Sequence, residues 1–240
     1  MSVPKLSLVC LCLALSTASE LHSAPASDLA DLAGRIDYGF YTGDRAVLAA
    51  AREELMGLEE SRPLVLYYRA FAAMRSAQLD LRRGRTARKS LEHCLDSAEA
   101  ATEAEPMSAE PWILIGACSA LAADERRLRH ALVQARALDA DNPRIGLVEA
   151  WGMGYEPDAL DVAQTARLTE TLGATVAAFA ASLSRSLPDW GEAEAAAALG
   201  GLLMQQGEVR AARDLIEQAL LVAPGFEPAL DLRRKLVGQR

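Results

Sequence analysis

The chain has 240 residues, 51% of them apolar, with 5% aromatics and a formal net charge of −8. That length and apolar content can bury a sizeable core, while the acidic balance argues against general nucleic-acid binding, which needs a basic face to displace counterions. Alanine dominates and runs of Val, Ile and Thr at period two are absent, so an all-α fold is expected.

The N-terminus reads as separate from the fold. Lys5 precedes the apolar run LSLVCLCLALS and then STASELHSAPAS, the layout of a secretory signal: a basic start, an apolar core and small residues for cleavage. The segment 1–26 is expected to be a signal peptide, cleaved after residue 18 or 26, at Ser16-Thr17-Ala18 or Ala24-Pro25-Ala26. The run is shorter than the roughly 20 residues of a membrane span, so no integral span is expected in the mature chain; an uncleaved anchor is the alternative. Val9 and Leu11 stand before Cys10 and Cys12 where a lipid-attachment signal has a small residue, which argues against a lipid anchor.

Residues 28–236 read as helix pairs. DYGFYTGDRAVLAAAREEL is a helix, a Gly43-Asp44 turn and a second helix, and LYYRAFAAMRSAQLDLRRG is a long helix ending at Gly84. The basic run RRGRTARK, Arg82 to Lys89, reads as a solvated helix–turn–helix junction; docking of an acidic partner or anionic lipid is the other reading. In EPWILIGACSALAADERRLRHALVQARALDADNP, Trp112 precedes Gly116 by four and Ala135 follows it by nineteen. In WGEAEAAAALGGLLMQQGEVRAARDLIEQALLVAPGFEPALDLRRKL, Gly200 is followed seven residues on by Gly207, and then come Ala212, Ala219 and Pro224. Gly200 in a helix interior costs roughly 1 kcal/mol relative to Ala, which points to close approach of a partner helix. Gly207 has the place of a left-handed C-cap, and Pro224 stops the second helix.

These spacings resemble a tetratricopeptide (TPR) repeat, most clearly over 109–142 and 193–226, with a polar capping helix at 227–236. Ala150 lies 34 residues after Gly116, and Ile36 and Ala70 are also 34 apart, the TPR repeat length. The resemblance implies a right-handed α-solenoid of about five antiparallel helix pairs. It further implies a non-catalytic scaffold or adaptor for a protein or peptide partner, of the type that bacteria export to the periplasm or secrete. In TPR proteins the first helix of each pair lines a concave groove. Counting from the glycine-like position places Tyr67, Phe71 and Met74, then Ile113, Ala117 and Ala120, then Ala197, Gly201 and Met204 along it. None is the Lys, Arg or Asn with which some TPR proteins clamp acidic C-termini. The apolar groove either receives a partner segment or is wound tightly enough to fill itself. Tyr38, Phe40 and Tyr41 are either the rim of that surface or the seal of the first repeat. An alternative function is an all-α binder of a small apolar ligand or lipid.

Little in the chain points to chemistry. His93 adjoins Cys94, but neighbouring helical residues diverge by about 100° and make no ready nucleophile–base pair. His130 sits in the polar stretch RRLRHAL, and no HExxH, GxSxG, GxGxxG or P-loop occurs. No catalytic residue, cofactor or metal is expected. Cys94 and Cys118 can pair in an oxidising compartment; the plainer expectation is two small core residues of Ala-like size.

Overall fold

The computed structural model describes residues 29–59, 62–154, 160–182 and 189–238, and the expectations for the signal segment fall outside them. Among the described residues there are eleven helices and no strand. They are α1 Leu29–Tyr41, α2 Arg45–Met56, α3 Pro63–Arg82, α4 Arg88–Ala104, α5 Ala109–Leu121, α6 Glu125–Leu138, α7 Pro143–Gly152, α8 Val162–Ala181, α9 Glu192–Gln205, α10 Val209–Val222 and α11 Glu227–Gly238. Consecutive helices pack as five pairs, α1–α2 through α9–α10, and α11 covers the open side of the last pair.

Local signals set the boundaries. Asp44 accepts from the backbone N–H groups of Ala46 and Val47, Asp124 from that of Arg127, and Asn142 from that of Arg144. Each side chain satisfies donors that the first turn leaves without an intrahelical partner. Asp161 and Gln164 form a reciprocal capping box at the start of α8. Gly43, Gly84 and Gly207 take positive φ of 66°, 64° and 81° at turns between paired helices, a conformation that disfavours any side chain. Asn142-Pro143 marks the start of α7, where proline's missing N–H costs nothing; α6 itself ends at Leu138.

The pairs divide into an inner and an outer layer, and burial distinguishes them. Outer helices carry one apolar stripe: Leu91, Cys94, Ala98 and Ala101 on α4, Leu128, Ala131, Leu132 and Ala135 on α6, Ala212, Ile216, Ala219 and Leu220 on α10. The alanines in these stripes let the outer helices lie close to their partners. Inner helices α1, α3, α5 and α7 run side by side, and α3, α5 and α9 are buried around most of their circumference. A Cβ built on Gly200 would lie 2.9 Å from Ile216 Cγ1 and 3.2 Å from the Ala212 carbonyl oxygen, so the close approach of α10 to α9 requires glycine there. At Gly116 the tightest neighbour is the next inner helix: an added Cβ would lie 3.2 Å from Val148 Cγ1 of α7 and 3.5 Å from Leu132 Cδ2 of its own partner α6.

Two tethers reinforce the stack. Cys94 and Cys118, both fully buried, form a disulfide between α4 and α5, joining the second pair to the third. The plainer expectation of two unlinked core thiols is thereby corrected: the close approach of α4 and α5 brings the two Cα atoms to 6.5 Å, within bonding reach. Arg69 on α3 donates to the carbonyl oxygens of Leu55, Met56 and Leu58 at 3.1, 3.2 and 2.9 Å, satisfying acceptors that the end of α2 leaves open.

Candidate interaction surface

The concave side is the surface on which function was expected, and it is filled by the chain itself. Tyr67, Phe71, Met74, Ile113, Ala117, Ala197 and Gly201 are buried, while Ala120 and Met204 are half-buried. Counting along the inner helices brings these positions onto one lining; it does not reveal what covers them. The cover comes from the far end of the chain. Trp190, just ahead of α9, is 2% exposed. Its indole Nε1–H donates to the Tyr67 hydroxyl at 2.8 Å, and its ring lies 5.6 Å from Phe71 and 6.1 Å from Trp151. Tyr67 in turn stacks on Phe71 at 6.3 Å and donates to Glu110 Oε2 at 3.4 Å.

A buried ionic centre holds the two ends together. Arg75 on α3 is fully buried, and its guanidinium lies 2.5 Å from Glu194 of α9 and 3.7 Å from Asp37 of α1. It sits over the rings of Phe40 at 3.9 Å, Phe71 at 4.8 Å and Trp190 at 5.4 Å. The Tyr41 hydroxyl donates to Glu194 Oε2 at 3.0 Å, and Gln78 Oε1 accepts from Arg75 at 3.1 Å. Burial alone would lower the Arg75 pKa, but Glu194, Tyr41 and Asp37 outweigh it and raise the value above the ordinary one. Burial pushes the Asp37 carboxyl up to about 7, with Glu194 and Asp189 adding to the rise against the opposing pull of Arg75. Burial also raises Glu110 above the usual carboxylate range, opposed by Arg144 and by hydrogen bonds from Asn142 and Tyr67.

The first and last repeats meet directly. Phe226, in the link before α11, packs 6.1 Å from Phe40 and 5.3 Å edge-on to Tyr41. Phe40 and Tyr41 therefore act as a seal, whereas Tyr38 points outward with 57% exposure. Among the open clefts, two lie at opposite ends of the inner helices. One, of about 700 Å³, lies at their N-terminal ends and is lined by Glu110, Asp139, Asp141, Asp189 and Glu192 around Arg144. The other, of about 360 Å³, lies where the C-terminal ends of α3 and α7 face α9 and α11.

The described structure is similar to that of a thermophilic TPR protein of Thermus thermophilus, with a TM-score of 0.50 at 15% identity, covering 89% of this chain and 94% of that one. The fold is a TPR-like α-solenoid. No protein-family model and no curated protein matches the chain. Within this TPR-like solenoid the residues that close the ring are Arg75, Glu194, Trp190 and Phe226, and counting from the glycine positions missed all four. A signal for two of them was present: Arg75 is a single charge inside FAAMRSA, and Glu194 is the inner of two glutamates in WGEAEAAAALGG, directly ahead of an unbroken apolar run. A charge at such a position is buried and must find its opposite. For Trp190 and Phe226, both in links between helices, periodicity carries no information.

Of the expected chemistry-bearing residues, His93 is exposed beside the disulfide-bonded Cys94, and His130 lies edge-on to Trp112 at 5.7 Å. The basic run from Arg82 to Lys89 is exposed apart from the half-turn at Ala87, with Arg88 paired to Glu92 at 2.8 Å. Among the described residues no helix is long and apolar enough to cross a membrane.

Proposed function

We propose that this chain is a non-catalytic protein-interaction scaffold or adaptor, exported to the bacterial periplasm or secreted, that binds a partner polypeptide along the parts of its concave side left accessible at Ala120, Met204 and the end clefts. The TPR-like stack of five helix pairs carries the reading, since solenoids of this kind offer a long surface of stacked helices for polypeptide segments. The signal layout at the N-terminus supports export, and a disulfide between the second and third pairs suits an oxidising compartment. A partner that reaches Tyr67, Phe71 or Met74 has to displace Trp190 and part α9 from α3. A partner that leaves the ring closed uses the clefts at its ends and the accessible edges near Ala120 and Met204.

The alternative of a small apolar ligand requires Tyr67, Phe71 and Met74 as pocket walls, yet Tyr67 and Phe71 already pack on one another and on Trp190. The test is site-specific photocrosslinking in the native envelope, with benzoylphenylalanine at Ala120 and Met204. A discrete polypeptide adduct is expected from at least one position. Recovery of uncrosslinked chain from both, together with a co-purifying lipid in native mass spectrometry, would reverse the choice.

A further inference from the structure

The cleft where α3 and α7 end against α9 and α11 has a chemical character of its own. Its lining includes Trp151, Ala197, Phe226 and Leu232. Its carboxylates are already matched: Glu194 by Arg75 and Tyr41, and Asp231 by Arg234 three residues on. Its two cations are not. Arg82 is exposed, and among the described residues it forms no ion pair or hydrogen bond; its guanidinium lies over Phe40 at 4.4 Å and Phe226 at 5.5 Å. Burial of the guanidinium among these rings and repulsion from Arg75 push its pKa down to about 10, while Glu194 and Glu227 pull the other way only at longer range. Lys235 on α11 is likewise exposed and without an ion pair among the described residues. Stacking on rings engages the flat face of a guanidinium and leaves its edge donors free, the edge that binds a carboxylate in a fork.

We infer that this cleft docks a segment of a partner protein in which acidic side chains flank apolar ones, the apolar groups lying over Trp151 and Leu232 and a carboxylate bridging Arg82 and Lys235. The inference rests on the scaffold reading. On a chain of net charge −8, two unmatched cations beside an aromatic floor form a local positive focus that steers acidic segments and selects against basic ones. The cleft also exists only in the closed ring, because Arg82 comes from the second pair and Lys235 from the capping helix α11. Binding there stabilises closure by mass action.

The experiment titrates the full chain into a fluorescein-labelled decapeptide of alternating Glu and Leu, followed by polarisation, beside an alternating Lys and Leu peptide. The Glu–Leu peptide is expected to bind and to weaken as salt rises. Lys235→Glu is expected to raise its Kd about tenfold. Arg82→Gln should do the same, and because Arg82 packs on two rings, Lys235→Glu, at an exposed unpaired site, keeps the test valid if Arg82→Gln fails to fold. Equal binding of the Lys–Leu peptide, or wild-type affinity in both folded variants, would overturn the inference. So would displacement of the labelled peptide by dodecanoate at concentrations where unlabelled peptide has no effect, which would assign the cleft to an amphiphile. If the Glu–Leu peptide fails while Ala120 or Met204 still crosslinks a polypeptide, the cleft assignment falls and the scaffold reading stands.

Discussion

Asp37 shows how one side chain can set the pH dependence of the whole ring. Its carboxyl titrates near 3.8 when unfolded and is pushed up to about 7 in the fold by burial. A raised carboxyl pKa means that the folded state holds the proton more tightly. The stabilising contribution is therefore complete below about pH 4 and is lost as pH rises toward and through 7. Asp37 keeps 23% of its side chain in contact with water and has Arg75 at 3.7 Å, so the effect is smaller than full burial would give. Asp37→Asn, which removes the titration, should melt higher than wild type at pH 8 and show no such gain at pH 4; parallel scanning-calorimetry curves at both pH values would refute this. Gly200 is the second test at this scale. With Ile216 Cγ1 2.9 Å from the position of an added Cβ, Gly200→Leu should cost about 1–3 kcal/mol or more by overpacking. An unchanged urea midpoint would mean that α9 and α10 do not meet there.

At the scale of elements, the sequence was legible where a helix has one apolar face or a strong cap. The α9–α10 pair, the turns at Gly43, Gly84 and Gly207 and the cap at α11 all fall where spacing placed them. The inner helices were harder to read: α3 is buried around most of its length, so periodicity cannot say which side is groove and which is core. The Cys94–Cys118 link belongs to this scale too, because the two residues become neighbours only through the packing of α4 on α5. Their separation of 24 residues sets a loop whose closure is worth about 3.5 kcal/mol in the chain-entropy account. Cys94→Ala with Cys118→Ala should lower the urea unfolding free energy by roughly that amount. Peptide mapping of the untreated protein should recover the linked pair.

At the scale of the molecule, closure dominates. Arg75 is fully buried, and its carboxylate partner comes from a helix more than a hundred residues away in sequence. Removing one member of such a pair leaves an uncompensated buried charge and costs about 3–5 kcal/mol, whereas replacing both by apolar groups can be near neutral. Glu194→Gln should therefore lower stability sharply and raise the radius of gyration by small-angle scattering as the last repeat loosens. Arg75→Met with Glu194→Leu should recover most of the stability. If the double variant is as unstable as the single one, the centre is valued for its hydrogen bonds rather than for charge balance. An all-α chain of about five helix pairs, their turns and a C-terminal cap follow from helix period, capping side chains and glycine spacing, because these are local properties. The covering of the concave lining, the meeting of Cys94 with Cys118 and the cleft shared by Arg82 and Lys235 emerge only once the pairs are stacked. Those facts depend on how far successive pairs rotate as they stack, a sum of small packing angles that no single residue encodes.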